Sequence, residues 1–110
     1  MINAQKLDKI LLDLGFSDIL FGTDYLREAV RLYDGGRTQI TGEIYPEIAA
    51  KYCTRKMAVE RCIRHAISRA FLRGDMEKVR EIFGWSISPD KGVPTVGECI
   101  ARLARVCHED

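Results

Sequence analysis

From Val59 to Phe71, apolar residues follow one another at intervals of three, one, three, one, three and one: Val59, Cys62, Ile63, Ala66, Ile67, Ala70 and Phe71. A strand changes face at every residue, so this spacing scatters the set over both sides of a sheet. A helix with 3.6 residues per turn gathers it onto one side. The spacing predicts a helix over about 55–73, with Thr54 as N-cap and Gly74 as stop. A helix with so continuous an apolar stripe must bury it against other elements, and those elements read as helices too. Leu7, Ile10, Leu11 and Leu14 repeat at helical spacing ahead of Gly15. A second helix is predicted to open at the N-cap Thr23, to carry Leu26, Ala29, Val30 and Tyr33 inward, and to close at Gly35 and Gly36. Pro46 suits the first turn of a short helix over about 46–52, because its missing N–H has no partner there anyway.

Beyond Gly74, Asp75 is predicted to cap a fifth helix with Met76, Val79, Ile82 and Phe83 inward. "GWSISPDKGVP" reads as a loop that tucks Trp85 and Ile87 against the core. The last helix begins at Thr95 and Glu98, spaced as a capping box, and presents Cys99, Ile100, Leu103 and Val106 or Cys107. No segment alternates as a strand, so the fold class is all-α, about six helices around one core. The 110 residues suffice for one core and are too few for two, which makes residues 1–110 a single domain.

The longest apolar runs are a few residues, short of the roughly 20 that cross a bilayer, and "MINAQKLDK" lacks the order of a signal peptide. No membrane partner is expected, and the location expected is cytoplasmic. Cys53, Cys62, Cys99 and Cys107 include no C-x-x-C pair, and three of the four fall where a helix wants a small apolar residue. They read as reduced packing cysteines. Cys62 with His65 and Cys107 with His108 lack a second pair at zinc-like spacing, so neither a metal nor another cofactor is expected.

Charge gives the next constraint. The formal net charge is +1, yet Lys51 to Arg73 holds seven basic residues against Glu60 alone, while the rest of the chain has ten basic and fifteen acidic residues. A basic segment is set in an acidic body. Opposite the apolar stripe lie Glu60, Arg61, Arg64, His65 and Ser68, with Arg55 and Lys56 at the helix start, where free N–H groups and the dipole favour phosphate. The short helix before it is joined by two or three residues, Cys53 and Thr54 among them, which is helix-turn-helix spacing over about 46–73. Ile48, Ala49, Tyr52, Val59 and Cys62 fall where that motif needs contacts between its helices, although Cys53 stands where glycine is common in the turn.

Such a face suits the DNA major groove. An arginine offers two parallel donors that match O6 and N7 of guanine, and a carboxylate accepts from N4 of cytosine, so Arg61 and Glu60 can read neighbouring base pairs. Glu60 has a second reading, an ion pair with Arg64 one turn on. Arg64 and His65 grip phosphate or support Arg61, and His65 has the alternative of a neutral surface imidazole.

"YLREAV" (25–30), "YPEIAAKY" (45–52), "VERCIRHAI" (59–67), "RGD" (73–75) with "FGW" (83–85), and "PT" with "GECIA" (94–101) occur in this order. Together they resemble the DNA-binding effector domain of the master sporulation response regulator of endospore-forming Firmicutes, over roughly Leu7 to Cys107. The resemblance implies an all-helical transcription regulator whose recognition helix, about 55–73, enters the major groove of double-stranded DNA at a short C/G-containing box. It also implies tandem self-association on DNA, action through RNA polymerase and its sigma factor, and association with the nucleoid when bound. Thr54, Arg55, Lys56, Glu60, Arg61, Arg64 and His65 are the DNA-binding residues expected on these grounds. The family usually has Ser-Arg before V-E-R. Met57 and Ala58 stand there in this chain, which removes one DNA-contacting arginine and implies a different box.

The family's regulators also carry a receiver domain, for which 110 residues leave no room, so the chain is expected to be an excised effector or a stand-alone one. The competing reading is a protein-interaction module of the same fold that modulates a full-length regulator without binding DNA. An enzyme is disfavoured, because no nucleophile triad or phosphate-binding glycine motif is present.

Overall fold

Six α-helices form in the computed structural model, which describes residues 1–73, 75–84 and 93–109 (for Met76 the backbone only). They are α1 (Ala4–Asp13), α2 (Phe21–Asp34), α3 (Tyr45–Lys51), α4 (Lys56–Arg73), α5 (Met76–Phe83) and α6 (Val96–Cys107). The all-α architecture expected from the periodicity is the one observed. Gly74 and the segment with Trp85 and Ile87 lie outside the described residues.

α2 is the axis of the assembly, packing along both α4 and α6, while α3 docks on α4 and α1 on α6. The α4 stripe is buried as its spacing requires: Val59 and Ile63 are inaccessible to solvent and Ala66, Ile67 and Ala70 nearly so. Each of its larger side chains contributes roughly 1.5–3 kcal/mol by leaving water. Leu103, Ile100 and Cys99 of α6 and Leu26, Ala29 and Val30 of α2 complete the centre of the core, and Cys107 is the inward residue at the end of α6. Burial pushes the thiols of Cys99 and Cys107 above the ordinary range, as expected of packing residues.

α6 starts as its sequence predicts. Thr95 Oγ1 accepts from the Glu98 N–H at 3.1 Å, and Glu98 Oε1 accepts from the Thr95 N–H at 3.0 Å. Thr95→Ala is expected to remove about 1 kcal/mol of stability, read as a lower urea midpoint at unchanged slope. Asp75 caps α5 by accepting from the Glu77 N–H at 2.9 Å.

The start of α2 departs from expectation. Thr23 is not its N-cap: the helix begins at Phe21, and Thr23 lies buried in the first turn, its hydroxyl donating to the Ser17 carbonyl at 2.7 Å. Ser17 also accepts the Ile19 N–H on its own hydroxyl oxygen at 3.2 Å, a turn that brings the chain into α2 earlier. The shift places Gly22 inside the helix, against the backbone of α4. A Cβ at Gly22 would sit 2.0 Å from the Cys62 carbonyl oxygen and 2.9 Å from Ala66 Cβ.

A second departure precedes α3. Residues Ile40–Ile44 form one π-helical turn, with the Tyr45 N–H donating to the Ile40 carbonyl, and this turn seats the fully buried Ile44. α3 then begins at Tyr45, which places Pro46 within its first turn. At the far end of the molecule the terminal segments are laced together: Asn3 N–H donates to Cys107 O at 2.9 Å and Glu109 N–H to Met1 O at 2.7 Å. His108 Nδ1 lies 2.7 Å from Asp34 Oδ1, which ties this lace to the end of α2.

Candidate nucleic-acid interface

α3 and α4 are joined by residues 52–55, a turn closed by backbone bonds from Tyr52 N–H to Ile48 O at 3.0 Å and from Thr54 N–H to Ala49 O at 2.9 Å. Cys53 carries φ = 54°, the one non-glycine residue with positive φ among those described. The turn therefore needs the left-handed conformation that makes glycine common at such a place, and the chain makes it with cysteine at roughly 1–2 kcal/mol of strain. Cys53→Gly is expected to gain about 0.5–1 kcal/mol, the strain relieved less the extra chain entropy of glycine. Chemical denaturation of the two proteins measures it.

Thr54 is half-buried within this turn rather than capping α4. The helix starts at Lys56, and the first carbonyl it uses is that of Arg55, which accepts from Val59 N–H at 3.0 Å. The left-handed Cys53 moves the helix start forward by one residue. α3 is held against α2 by Glu28, whose Oε2 lies 2.9 Å from Lys51 Nζ and 2.7 Å from Arg31. Lys51 is thus tied into the scaffold, and the other basic residues of the segment lie on α4 or just before it.

The seven expected residues, Thr54 and Arg55 before α4 and five on it, separate. Arg55, Lys56, Arg61 and His65 are exposed, and Arg55, Lys56 and Arg61 form no ion pair among the described residues. Arg64, also exposed, is bound by Glu60, so the second of the two readings of Glu60 describes the folded chain. Arg64 lies on the flank facing the entry to α6, in a groove lined by Tyr45, Glu60, Ser68, Pro94 and Thr95. Burial raises the pKa of the Tyr45 phenol, and the nearby Arg64 guanidinium works in the opposite direction. Arg61 and His65 do not line that groove.

Arg69, exposed one turn beyond His65, extends the cationic face and was not among the expected residues. The i+4 step from His65 is the signal that identifies it. Met57 is 68% exposed at the start of the same face.

Among the described residues, the outer face of α4 is therefore cationic, with an intramolecular carboxylate partner only at Arg64. Such a surface is chemically matched to a polyanion. The comparison with known families agrees: residues 7–107 match the family described as sporulation initiation factor Spo0A C terminal. Nearly the whole described fold lies within the match, and that is a family of DNA-binding regulatory domains rather than of enzymes. On that match the chain belongs to the Spo0A C-terminal effector domain family.

Proposed function

We propose that the protein regulates transcription by sequence-specific binding to double-stranded DNA, with α3 and α4 acting as a helix-turn-helix and α4 lying in the major groove. The observation that carries this reading is Arg61, exposed near the middle of the cationic face, with no ion-pair partner among the described residues. A guanidinium free of protein carboxylates is available for the paired acceptors of guanine. Arg55 and Lys56 at the helix start supply phosphate contacts, where the dipole adds to their charge. Glu60 holds Arg64, which then acts on the backbone beside the entry to α6, while His65 and Arg69 extend the contact along the groove. Tandem pairing on DNA and contact with RNA polymerase and its sigma factor belong to the same proposal, as does a cytoplasmic, nucleoid-associated location.

Fluorescence anisotropy against a C/G-containing duplex and a scrambled one, at two salt concentrations, tests it. Binding is expected to be tighter on one duplex, with a log-log salt slope reflecting roughly four to six phosphate contacts per copy. Equal affinities leave only nonspecific binding. No salt-sensitive binding at all favours the competing module that modulates a regulator by protein contact, a reading supported by Met57 at the foot of α4 and by the Glu60–Arg64 pair.

A further inference from the structure

We propose that the protein associates head to tail with a second copy of itself, the acidic, apolar corner where α1 meets the start of α2 docking on the basic outer face of α4 of the next copy. At that corner Arg27 is enclosed by three carboxylates, Asp8 at 2.7 Å, Asp18 at 2.7 Å and Asp24 at 3.0 Å. Burial works against the guanidinium charge, but hydrogen bonds from Asp18 and Asp8 outweigh it and raise its pKa. Three carboxylates against one cation leave two negative charges facing outward, and the Asp18 side chain is 82% exposed.

Around this cluster stand Leu12, Ile19 and Phe21, all largely exposed. Leu12 lies one turn along α1 from Asp8, Ile19 follows Asp18, and Phe21 precedes Asp24 by one turn while its ring stacks on Tyr25. On α4, Met57, Arg61, Arg64, Ser68 and Leu72 recur at helical spacing along one outer face, so a basic centre is flanked at both ends by an exposed apolar side chain. Seven large apolar residues are exposed among those described, and five of them fall on these two surfaces.

The occupant follows from charge. Among the described residues, no ion pair joins the acidic corner to α4 within one chain. Gly22 locks the start of α2 against the inner side of α4, at the Cys62 carbonyl, so the corner cannot swing onto the outer face of its own α4. A second copy satisfies both surfaces at once, carboxylate to guanidinium and apolar rim to apolar rim. The contact uses different patches on the two partners, so it propagates into open chains rather than closing as a symmetric dimer. It also covers α4, so it is a contact separate from tandem pairing on DNA, and it excludes duplex binding if α4 is the DNA face. The pairing itself is independent of that reading, because it is measured without DNA.

Sedimentation velocity from micromolar to millimolar protein is expected to show mass rising with concentration beyond a dimer at low salt and falling as salt is added. The double variant Asp18→Ser with Ile19→Ser removes the corner, and Arg61→Glu reverses the charge at the centre of the α4 face. Each alone is expected to weaken association by roughly a hundredfold, with the helical circular dichroism of both unchanged. Mixed together, they are expected to form a 1:1 dimer and stop there, since one intact patch of each kind remains. The corner variant is also expected to bind duplex DNA as the unaltered chain does. A chain that stays monomeric throughout, variants that associate as strongly as the parent, or a mixture that stays monomeric each overturn the proposal.

Discussion

Gly22→Ala is expected to lower folding stability by about 3 kcal/mol or more, an effect larger than any cap or surface charge in the molecule contributes. The added methyl carbon would stand 2.0 Å from the Cys62 carbonyl oxygen and 2.7 Å from its carbon. These are backbone atoms in the middle of α4 and cannot rotate away as a flexible side chain can. Either α2 lifts from α4 or α4 bends, and each loosens the most extensive helix contact in the fold. At about 4 °C per kcal/mol for a domain of this size, Tm is expected to fall by roughly 12 °C. Gly97→Ala is the matched control: its nearest neighbour is the tip of Ile40 at 3.5 Å, within a regular helix, so alanine is expected to stabilise by roughly 0.5–1 kcal/mol. Urea denaturation of the three proteins compares the two sites, and a Gly22→Ala midpoint equal to that of the parent shows that α2 and α4 do not meet there.

Arg61→Ala is expected to reduce affinity for a matched duplex by about 1–3 kcal/mol, roughly 5- to 150-fold, and to relax discrimination at one base pair, while scrambled duplex loses little. Arg64→Ala is expected to weaken all sequences alike and to reduce the salt slope by about 1, as loss of one phosphate contact does. The assignment follows from their surroundings. Among the described residues Arg61 has no carboxylate partner that a base would have to displace, whereas Arg64 is held by Glu60 on the flank of the helix toward Thr95. A carboxylate beside a phosphate-binding arginine lowers grip and fixes direction. Anisotropy titrations on both duplexes separate the roles, and uniform losses from both variants contradict the division.

The fold was legible in the sequence where burial follows local periodicity. The α4 stripe from Val59 to Phe71, apart from the partly buried Cys62, and the α6 set Cys99, Ile100 and Leu103 are buried as their spacing required, and the Thr95–Glu98 box forms in both directions. The start of α2 was misread because Thr23 has the chemistry of an N-cap. Its hydroxyl finds the Ser17 carbonyl instead of a helix N–H, a bond decided by how the preceding turn folds back. The π-turn at Ile40–Ile44 has no sequence signature either; it ends on Ile44, which is fully buried just ahead of Pro46.

At the candidate site, composition and spacing revealed the cationic face but not its internal division. Nothing in "VERCIRHA" says whether Glu60 looks outward or back along its own helix. In the folded chain it engages Arg64, which is one turn away and exposed on the same flank. Cys53 carried more information than its identity suggested. Standing where glycine is common, it marked a place in the turn, and the positive φ observed there is the physical reason for the preference.

The lace between Asn3 and Cys107 and between Met1 and Glu109 has a consequence for attachment. The two ends of the fold form a single port, tied by Asp34 to the last turn of α2. Cargo fused at the front and cargo fused at the back would enter from the same side and compete for the same space. A short bridge between the ends, with new termini opened at the exposed Gly36–Arg37 link, would leave the order of the helices in space unchanged.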